Sequence, residues 1–459
     1  MPSFLAAESL VGLKYFSPDQ VLSPYVFVFY ASYVIAFLFT PVLRTIAIHY
    51  GIIDEPDGVR KMHTKPVAYL GGVAVFLGWL SGLAISQFVL LHRVEKGMQP
   101  NLVINFGIVI SACSIVLLGL WDDIIRMSPW AKIGGQILAA VCLVVFGIGR
   151  HCAWIVVGPM LTRSVHYFGI PHVPPGQVYL LYNHWIVDVA SILFVMFLVV
   201  GCCNAANLMD GLDGLCGGVM AVVAAGFLFL AVNLATQSGA MNVNQDALRV
   251  VLGLALLGGV MGFVPYNFNP ASIFMGDTGS MFLGFVCALL MILFASEGHF
   301  KWFLASMVMF SLPILDSALA FVRRWVNGRP LFSPDRYHLH HQLVSRGFSV
   351  KQTVVISYGL SIIFVLLGAA IVYIRARYAV AIYLIVFGSI IVAAYKMGMV
   401  HERVDFAGAK PSPLAEPSAV GGESEQIPTA AFSDSVVASK AWSEEADATG
   451  QAGARQPRE

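Results

Sequence analysis

The chain reads as long apolar blocks separated by short polar stretches. Blocks near the ~20 residues a helix needs to cross a bilayer are centred at 25–43, 69–91, 102–120, 133–149, 186–206, 214–235, 249–266, 272–295, 302–322, 353–374 and 378–396. This pattern predicts an all-α polytopic membrane protein of about eleven transmembrane helices. Polar or glycine-rich motifs blur the ends of the fifth, sixth and eighth blocks. Two connections are long, at residues 44–68 and 323–352, and a third runs from 150 to 185. In the third, Pro171, Pro174, Pro175 and Gly176 interrupt short runs of β-formers, which predicts a small extracytoplasmic β-hairpin on the membrane surface. The expected organisation is an N-terminal extracytoplasmic segment (1–24), a transmembrane domain carrying the chemistry (25–396) and a tail (397–459). The tail is rich in Ala, Ser, Gly, Pro and Glu without amphipathic period, so it reads as cytoplasmic and disordered.

Composition agrees with lipid as the solvent: 58% of residues are hydrophobic and 12% charged, against about 25% charged in soluble proteins. With 27 basic and 26 acidic residues and a net charge of +1, no nucleic-acid partner is expected. The seven cysteines have no metal-type spacing and sit mostly in apolar blocks, where Cys acts as a small hydrophobe. No basic n-region or A-x-A site precedes the first block, so no cleaved signal peptide is expected. Connections after odd-numbered blocks hold fourteen Lys and Arg and the opposite side nine. Positive charge favours the cytoplasm, so this bias predicts an outside N-terminus and a cytoplasmic C-terminus.

That orientation places the acids on one face. Asp122 and Asp123 end the third block (L-W-D-D), Asp210 and Asp213 lie between the fifth and sixth (N-L-M-D-G-L-D-G), Asp277 starts the eighth (F-M-G-D-T-G-S) and Asp316 lies late in the ninth (P-I-L-D). All face the cytoplasm in the predicted topology. A single acid at a helix end is more often a cap than a catalyst; a cluster on one face points to Mg²⁺, a hard cation that takes carboxylate oxygens together with substrate phosphates. Gly211, Gly214, Gly276 and Gly279 beside these acids permit tight turns close to an anion.

The loop before the tenth block, N-G-R-P-L-F-S-P-D-R-Y-H-L-H-H-Q-L, carries Arg336, His338, His340 and His341. Zinc is one reading of the histidines, but no cysteine is near and H-x-H-H is not a usual closed zinc site. Contact with phosphate suits a His/Arg loop facing a carboxylate centre better. Arg60, Lys61, His63 and Lys65 of the first long loop suit an anionic substrate and plain topological bias equally. Lys132, about ten residues after the Asp pair, can reach back over the same face.

Taken in order, these motifs resemble the polyprenyl-phosphate N-acetylhexosamine-1-phosphate transferases, polytopic bacterial enzymes. The resemblance rests on G-I-I-D-E-P-D-G-V-R-K-M-H-T-K-P with Gly71-Gly72, W-D-D-I-I-R-M-S-P-W-A-K-I-G-G-Q, N-A-A-N-L-M-D-G-L-D-G-L, Y-N-F-N-P-A, F-M-G-D-T-G-S-M-F-L-G, P-I-L-D and D-R-Y-H-L-H-H-Q-L. The H-L-H-H form is similar to the GlcNAc-1-phosphate branch. The resemblance implies a multi-pass protein of the bacterial cytoplasmic (inner) membrane with its active site facing the cytoplasm. It implies Mg²⁺, with Mn²⁺ as a substitute, held by Asp277, with Asp122 and Asp123 serving metal binding and deprotonation of the lipid phosphate. Asp210, Asp213 and Asn207 match the second polar motif. Asn267 matches a polar contact near the nucleotide, Phe274 a ring that stacks on uracil, and His338, His340 and His341 a motif near the sugar nucleotide. Two departures stand out: Pro66-Val67-Ala68-Tyr69 lacks the arginine usual before Gly-Gly, and Arg126 replaces an acid, leaving no third carboxylate in that motif.

The implied reaction moves GlcNAc-1-phosphate from UDP-GlcNAc to undecaprenyl phosphate and releases UMP, by direct displacement or through an aspartyl intermediate. UDP-MurNAc-pentapeptide is the rival substrate, and homodimerisation is left open. An ion-coupled transporter is the alternative from another class, but a carrier would place acids at mid-membrane and show repeats, and neither is visible here.

Overall fold

The computed structural model describes residues 17–55, 66–95, 104–125, 127–155, 157–158, 184–238, 243–295, 300–328, 330 and 338–396. Each apolar block becomes helix: α1 (Pro18–Leu22) and α2 (Val26–His49), α3 (Gly71–Glu95), α4 (Phe106–Ile125), α5 (Pro129–Val145), α6 (His184–Met209), α7 (Leu215–Ser238), α8 (Val243–Asn267), α9 (Gly276–Ala295), α10 (Phe300–Met309), α11 (Ser311–Val326), α12 (Leu339–Ser345), α13 (Val350–Ile371) and α14 (Ala376–Lys396). The starts follow capping chemistry. Ser128 accepts from Ala131 N with Pro129 at the first helical position, and Ser349 forms a capping box with Gln352.

Among the described residues eight helices are long and apolar enough to cross a membrane, nine if α10 and α11 count as one span. Residues 129–145 and 377–392 form shorter apolar helices. The ninth block is therefore not a straight helix: α10 and α11 meet at 72°. Pro313 in the first turn of α11 has no N–H to offer the Met309 carbonyl, which is a sufficient local cause of the break. The hairpin expected within 150–185 and the tail at 397–459 fall largely or wholly outside the described residues. A different small sheet is present, in which β1 (Ile53–Asp54) pairs antiparallel with β2 (Val67–Ala68), and Ala68 bridges Ile273 in parallel.

Helix α9 is the axis of the assembly, with every residue buried except Asp277 at its start. It packs against α6, α4 and α3. Lipid gives no hydrophobic drive between helices, so close fit must supply the attraction. Gly72 of α3 and Gly279 of α9 meet backbone to backbone, and a Cβ on either would overlap the other helix. One turn along, Phe76 and Trp79 pack edge-on to Phe282, each with ring centroids 5.4 Å apart. Towards the far end of α9, buried Arg249 binds Asp246 at 2.8 Å and the Leu293 carbonyl at 2.7 Å. A guanidinium at such depth requires this pairing.

Candidate active site

The carboxylates gather around the N-terminus of α9, the end opposite Arg249. Gly276 enters the helix with φ +71°, a conformation that favours glycine, and a Cβ there would strike the Asp123 carboxylate. Asp123, near the end of α4, caps α9 across the bundle. Its Oδ1 accepts from Asp277 N at 2.8 Å, and its Oδ2 accepts from Thr278 N at 3.0 Å and Thr278 Oγ1 at 2.6 Å. An anion at a helix N-terminus satisfies orphan amides and meets the positive end of the helix dipole. Both Asp123 oxygens are thus committed to orienting Asp277.

Asp277 and Asp122 share a cation. Lys132 Nζ, from the first turn of α5, lies 2.6 Å from Asp122 Oδ2 and 2.5 Å from Asp277 Oδ2. Asn207 Nδ2 donates to Asp277 Oδ1 at 2.9 Å and to Ser280 Oγ at 3.0 Å, while Met127 N donates to Asp122 Oδ1 at 2.6 Å. The turn after α6 brings up Asp210. Loss of hydration, then the charges of Asp277, Asp123 and Asp213, push its carboxyl up to about 8. No described side chain donates a hydrogen bond to it, so of the four aspartates expected to act chemically Asp210 alone is uncommitted. Asp213 instead ties two loops together, accepting from Asn269 Nδ2 and Ala271 N, each at 3.0 Å.

The raised Asp210 predicts a pH effect. From 3.8, the ordinary value, up to about 8, the folded protein holds a proton that the unfolded chain has lost. Stability therefore falls as pH rises through that window. In the absence of divalent cations, the melting temperature should decline from about pH 5 to about pH 8, and Asp210→Asn should flatten part of that decline. Thermal unfolding in buffered detergent with EDTA measures it; identical slopes for both proteins would remove the effect.

Other expected site residues divide. Asn267 has both ends of its amide engaged: Oδ1 accepts from Gly214 N and Nδ2 donates to the Ile273 carbonyl, each at 3.1 Å. It clips the Asp210–Gly214 turn to the segment just before Asp277 and is 3% exposed. Phe274 N donates to the Ala68 carbonyl at 2.8 Å, and the Phe274 carbonyl accepts from Gly71 N at 3.0 Å. Its ring is partly exposed, 6.0 Å from that of Tyr69 and tilted by 59°. His338, His340 and His341 stand together beside Gly211, with His340 against that glycine. Arg336 and the basic stretch at 56–65 lie outside the described residues.

Two contributors escaped the motif reading. Thr278 reinforces the Asp123 cap, and its place directly after Asp277 was the available signal. Tyr69 stands where the arginine was expected and hydrogen-bonds to buried Asp54; burial, then Asp54, push its hydroxyl up and hold it protonated.

The donor set bears on a metal. Among the described residues no group of three or more His, Cys, Asp or Glu side chains is arranged to hold one. Asp122 and Asp277 nevertheless converge on a single ammonium, and Mg²⁺ commonly uses only one or two carboxylates plus substrate phosphates. All-oxygen chemistry with a cation already drawn to the meeting point fits Mg²⁺ and not a zinc cage.

Comparison with known proteins places this geometry. Residues 105–295 match the profile of glycosyl transferase family 4. The chain is 30% identical over 348 residues to the probable undecaprenyl-phosphate N-acetylglucosaminyl 1-phosphate transferase of Bacillus subtilis, covering 75% of this chain and 84% of that protein. It is 32% identical over 369 residues to the decaprenyl-phosphate N-acetylglucosaminephosphotransferase of Mycobacterium tuberculosis, covering 77% and 83%. The chain belongs to the polyprenyl-phosphate N-acetylglucosamine-1-phosphate transferase family. The phospho-N-acetylmuramoyl-pentapeptide-transferase of Bacillus cytotoxicus is more distant, at 26% identity over 349 residues, covering 74% and 94%. In this transferase the matched stretch contains Asp122, Asp123, Lys132, Asn207, Asp210, Asp213, Asn267 and Asp277. The histidine group and the Tyr69–Asp54 pair lie outside it.

Proposed function

We propose that this protein transfers GlcNAc-1-phosphate from UDP-GlcNAc to undecaprenyl phosphate, releasing UMP, at the cytoplasmic face of the bacterial inner membrane. The observation that carries the reading is the convergence of Asp122, Asp277 and Lys132 at one end of a multi-helix membrane bundle, with Asp210 nearby. The eleven-span topology with the N-terminus outside is part of the proposal. It puts these groups on the positively charged side, where a soluble sugar nucleotide and the lipid headgroup meet.

In the reaction an oxygen of the lipid phosphate attacks the phosphorus that bears GlcNAc, and the bond from that phosphorus to the UMP oxygen breaks. The nucleophile is already anionic, so positioning and charge neutralisation dominate. Asp122 and Asp277 would hold Mg²⁺ or Mn²⁺, which when bound supplies positive charge to the pyrophosphate and the departing UMP. Lys132, partly exposed, can turn its ammonium to the substrate phosphates. Asp210, to which no described side chain donates a hydrogen bond, would take a remaining proton from the lipid phosphate only after a bound divalent cation had drawn off its own, a modest contribution because that proton is already weakly held. Asp123 keeps Asp277 in register without touching substrate. Phe274 offers its partly exposed ring to uracil and the histidines meet the sugar nucleotide.

Purified protein in detergent should release UMP from UDP-GlcNAc only when undecaprenyl phosphate and a divalent cation are both supplied. UDP-MurNAc-pentapeptide should be turned over at least about 10²-fold more slowly, as expected when the wrong substrate leaves buried polar groups unpaired. Preference for the pentapeptide nucleotide would reassign the substrate; cation flux without UMP release would reassign the class.

A further inference from the structure

Asp316 has no place in the chemistry assembled so far. It sits on α11 just beyond the 72° bend and is 4% exposed. Its carboxylate is fully engaged with the histidine segment. Oδ1 accepts from Leu339 N at 2.8 Å, and Oδ2 lies 2.9 Å from His338 Nδ1. A carboxylate can only accept, so Nδ1 carries the hydrogen, and the remaining ring nitrogen, Nε2, is directed away from the acid. The bond to Leu339 N also caps α12 from outside, because His338, at its cap position, makes no side-chain cap of its own.

The clamp extends beyond one ring. His338 and His340 stack with centroids 5.7 Å apart and planes within 6°, and His340 lies 4.3 Å from His341. His340 is 3% exposed, its Nε2 has no hydrogen-bond partner among the described residues, and a Cβ on Gly211 would collide with that nitrogen. Burial and the neighbouring His341 push His340 down to about 3, so it is neutral. An unpartnered buried nitrogen is costly unless a ligand reaches it. This one points at the residue after Asp210.

We propose that Asp316 is a positioning residue that locks the His338 imidazole with its Nδ1–H on the carboxylate, so that its Nε2, held as an acceptor beside the stacked His340, meets a hydroxyl or N–H group of the sugar nucleotide near Gly211. The inference rests on the transferase reading for the identity of the ligand, but the clamp itself does not. A carboxylate behind a working imidazole typically costs 10–100-fold when removed. Asp316→Asn should therefore lower kcat/KM for UDP-GlcNAc about 10–100-fold. His338→Ala should cost at least as much, and the double variant should be no worse than His338→Ala alone, since the acid acts through the ring. Equal, additive losses in both backgrounds would overturn the proposal.

A measurement without turnover separates the two readings. In ¹⁵N-histidine-labelled wild-type protein, His338 should show a downfield, exchange-protected Nδ1–H signal. That signal should move on addition of UDP-GlcNAc and should be missing from His338→Ala. Its absence from wild type would sink the clamp whether or not the enzyme turns over and whether or not Asp316→Asn folds. Its presence in a protein that releases no UMP would retain the clamp and reject only the substrate.

Discussion

Asp277→Asn is expected to reduce UMP release from UDP-GlcNAc by about 10³-fold or more while leaving the fold intact, because it removes charge at the reacting centre without removing shape. The new amide keeps an oxygen for Asn207 Nδ2, which now donates to Oδ1 at 2.9 Å. The Asp123 cap is made to the backbone of residues 277 and 278 and the Thr278 hydroxyl, so it survives. What disappears is one of the two negative charges that meet at Lys132, and with it half of the carboxylate set available to a divalent cation. Turnover across a Mg²⁺ titration measures the effect, with thermal unfolding as the control for folding. An activity near wild type at saturating Mg²⁺ would take Asp277 out of the metal site. A loss fully recovered at high Mg²⁺ would mean that the carboxylate contributes affinity alone.

This expectation could be framed from the chain itself, since G-D-T-G-S at the start of an apolar block marks an acid at a helix entrance. The blocks likewise foretold where helices lie, because a lipid-spanning segment must satisfy its backbone internally and leaves a long apolar signature. The bend at Met309–Ser311 was less legible: one proline in an apolar run is compatible with a kink or a straight first turn. The division of labour among the aspartates was not legible at all. Asp122 and Asp123 are adjacent in sequence, yet on a helix neighbours point about 100° apart, so one faces Lys132 and the other caps α9. Asp213 and Asn267 belong to polar motifs, but each is committed to backbone donors or acceptors that only the folded loops bring near. Asp316 shows the converse. Its motif was visible, while its partner His338 lies 22 residues away and becomes a neighbour through the packing of α11 and α12.

Lys132→Met should produce the largest change in response to metal. The ammonium stands between Asp122 and Asp277 at 2.6 and 2.5 Å, in the position where two carboxylates would receive a divalent ion. Without it the two acids face each other with no cation between them, and repulsion raises the energy of the folded state. Breaking a buried pair costs several kcal/mol, but Lys132 and Asp277 are 22% and 27% exposed, and water screens part of the repulsion. A loss of about 1–3 kcal/mol in EDTA is expected. Mg²⁺ should then do two things to the variant that it does less of to wild type. It should bind more tightly, having no ammonium to displace, and it should raise the melting temperature further, since stabilisation grows with the ratio of ligand to dissociation constant. Turnover should nevertheless drop about 10²-fold even at saturating Mg²⁺, because the charge that turns to the substrate phosphates is gone. The two readouts moving in opposite directions separates this account from simple damage to the site, in which metal affinity and activity fall together. A Mg²⁺-induced shift in the variant no larger than in wild type would mean that the metal does not enter between Asp122 and Asp277, and that Lys132 is a permanent part of the pair and not a cation that yields its place.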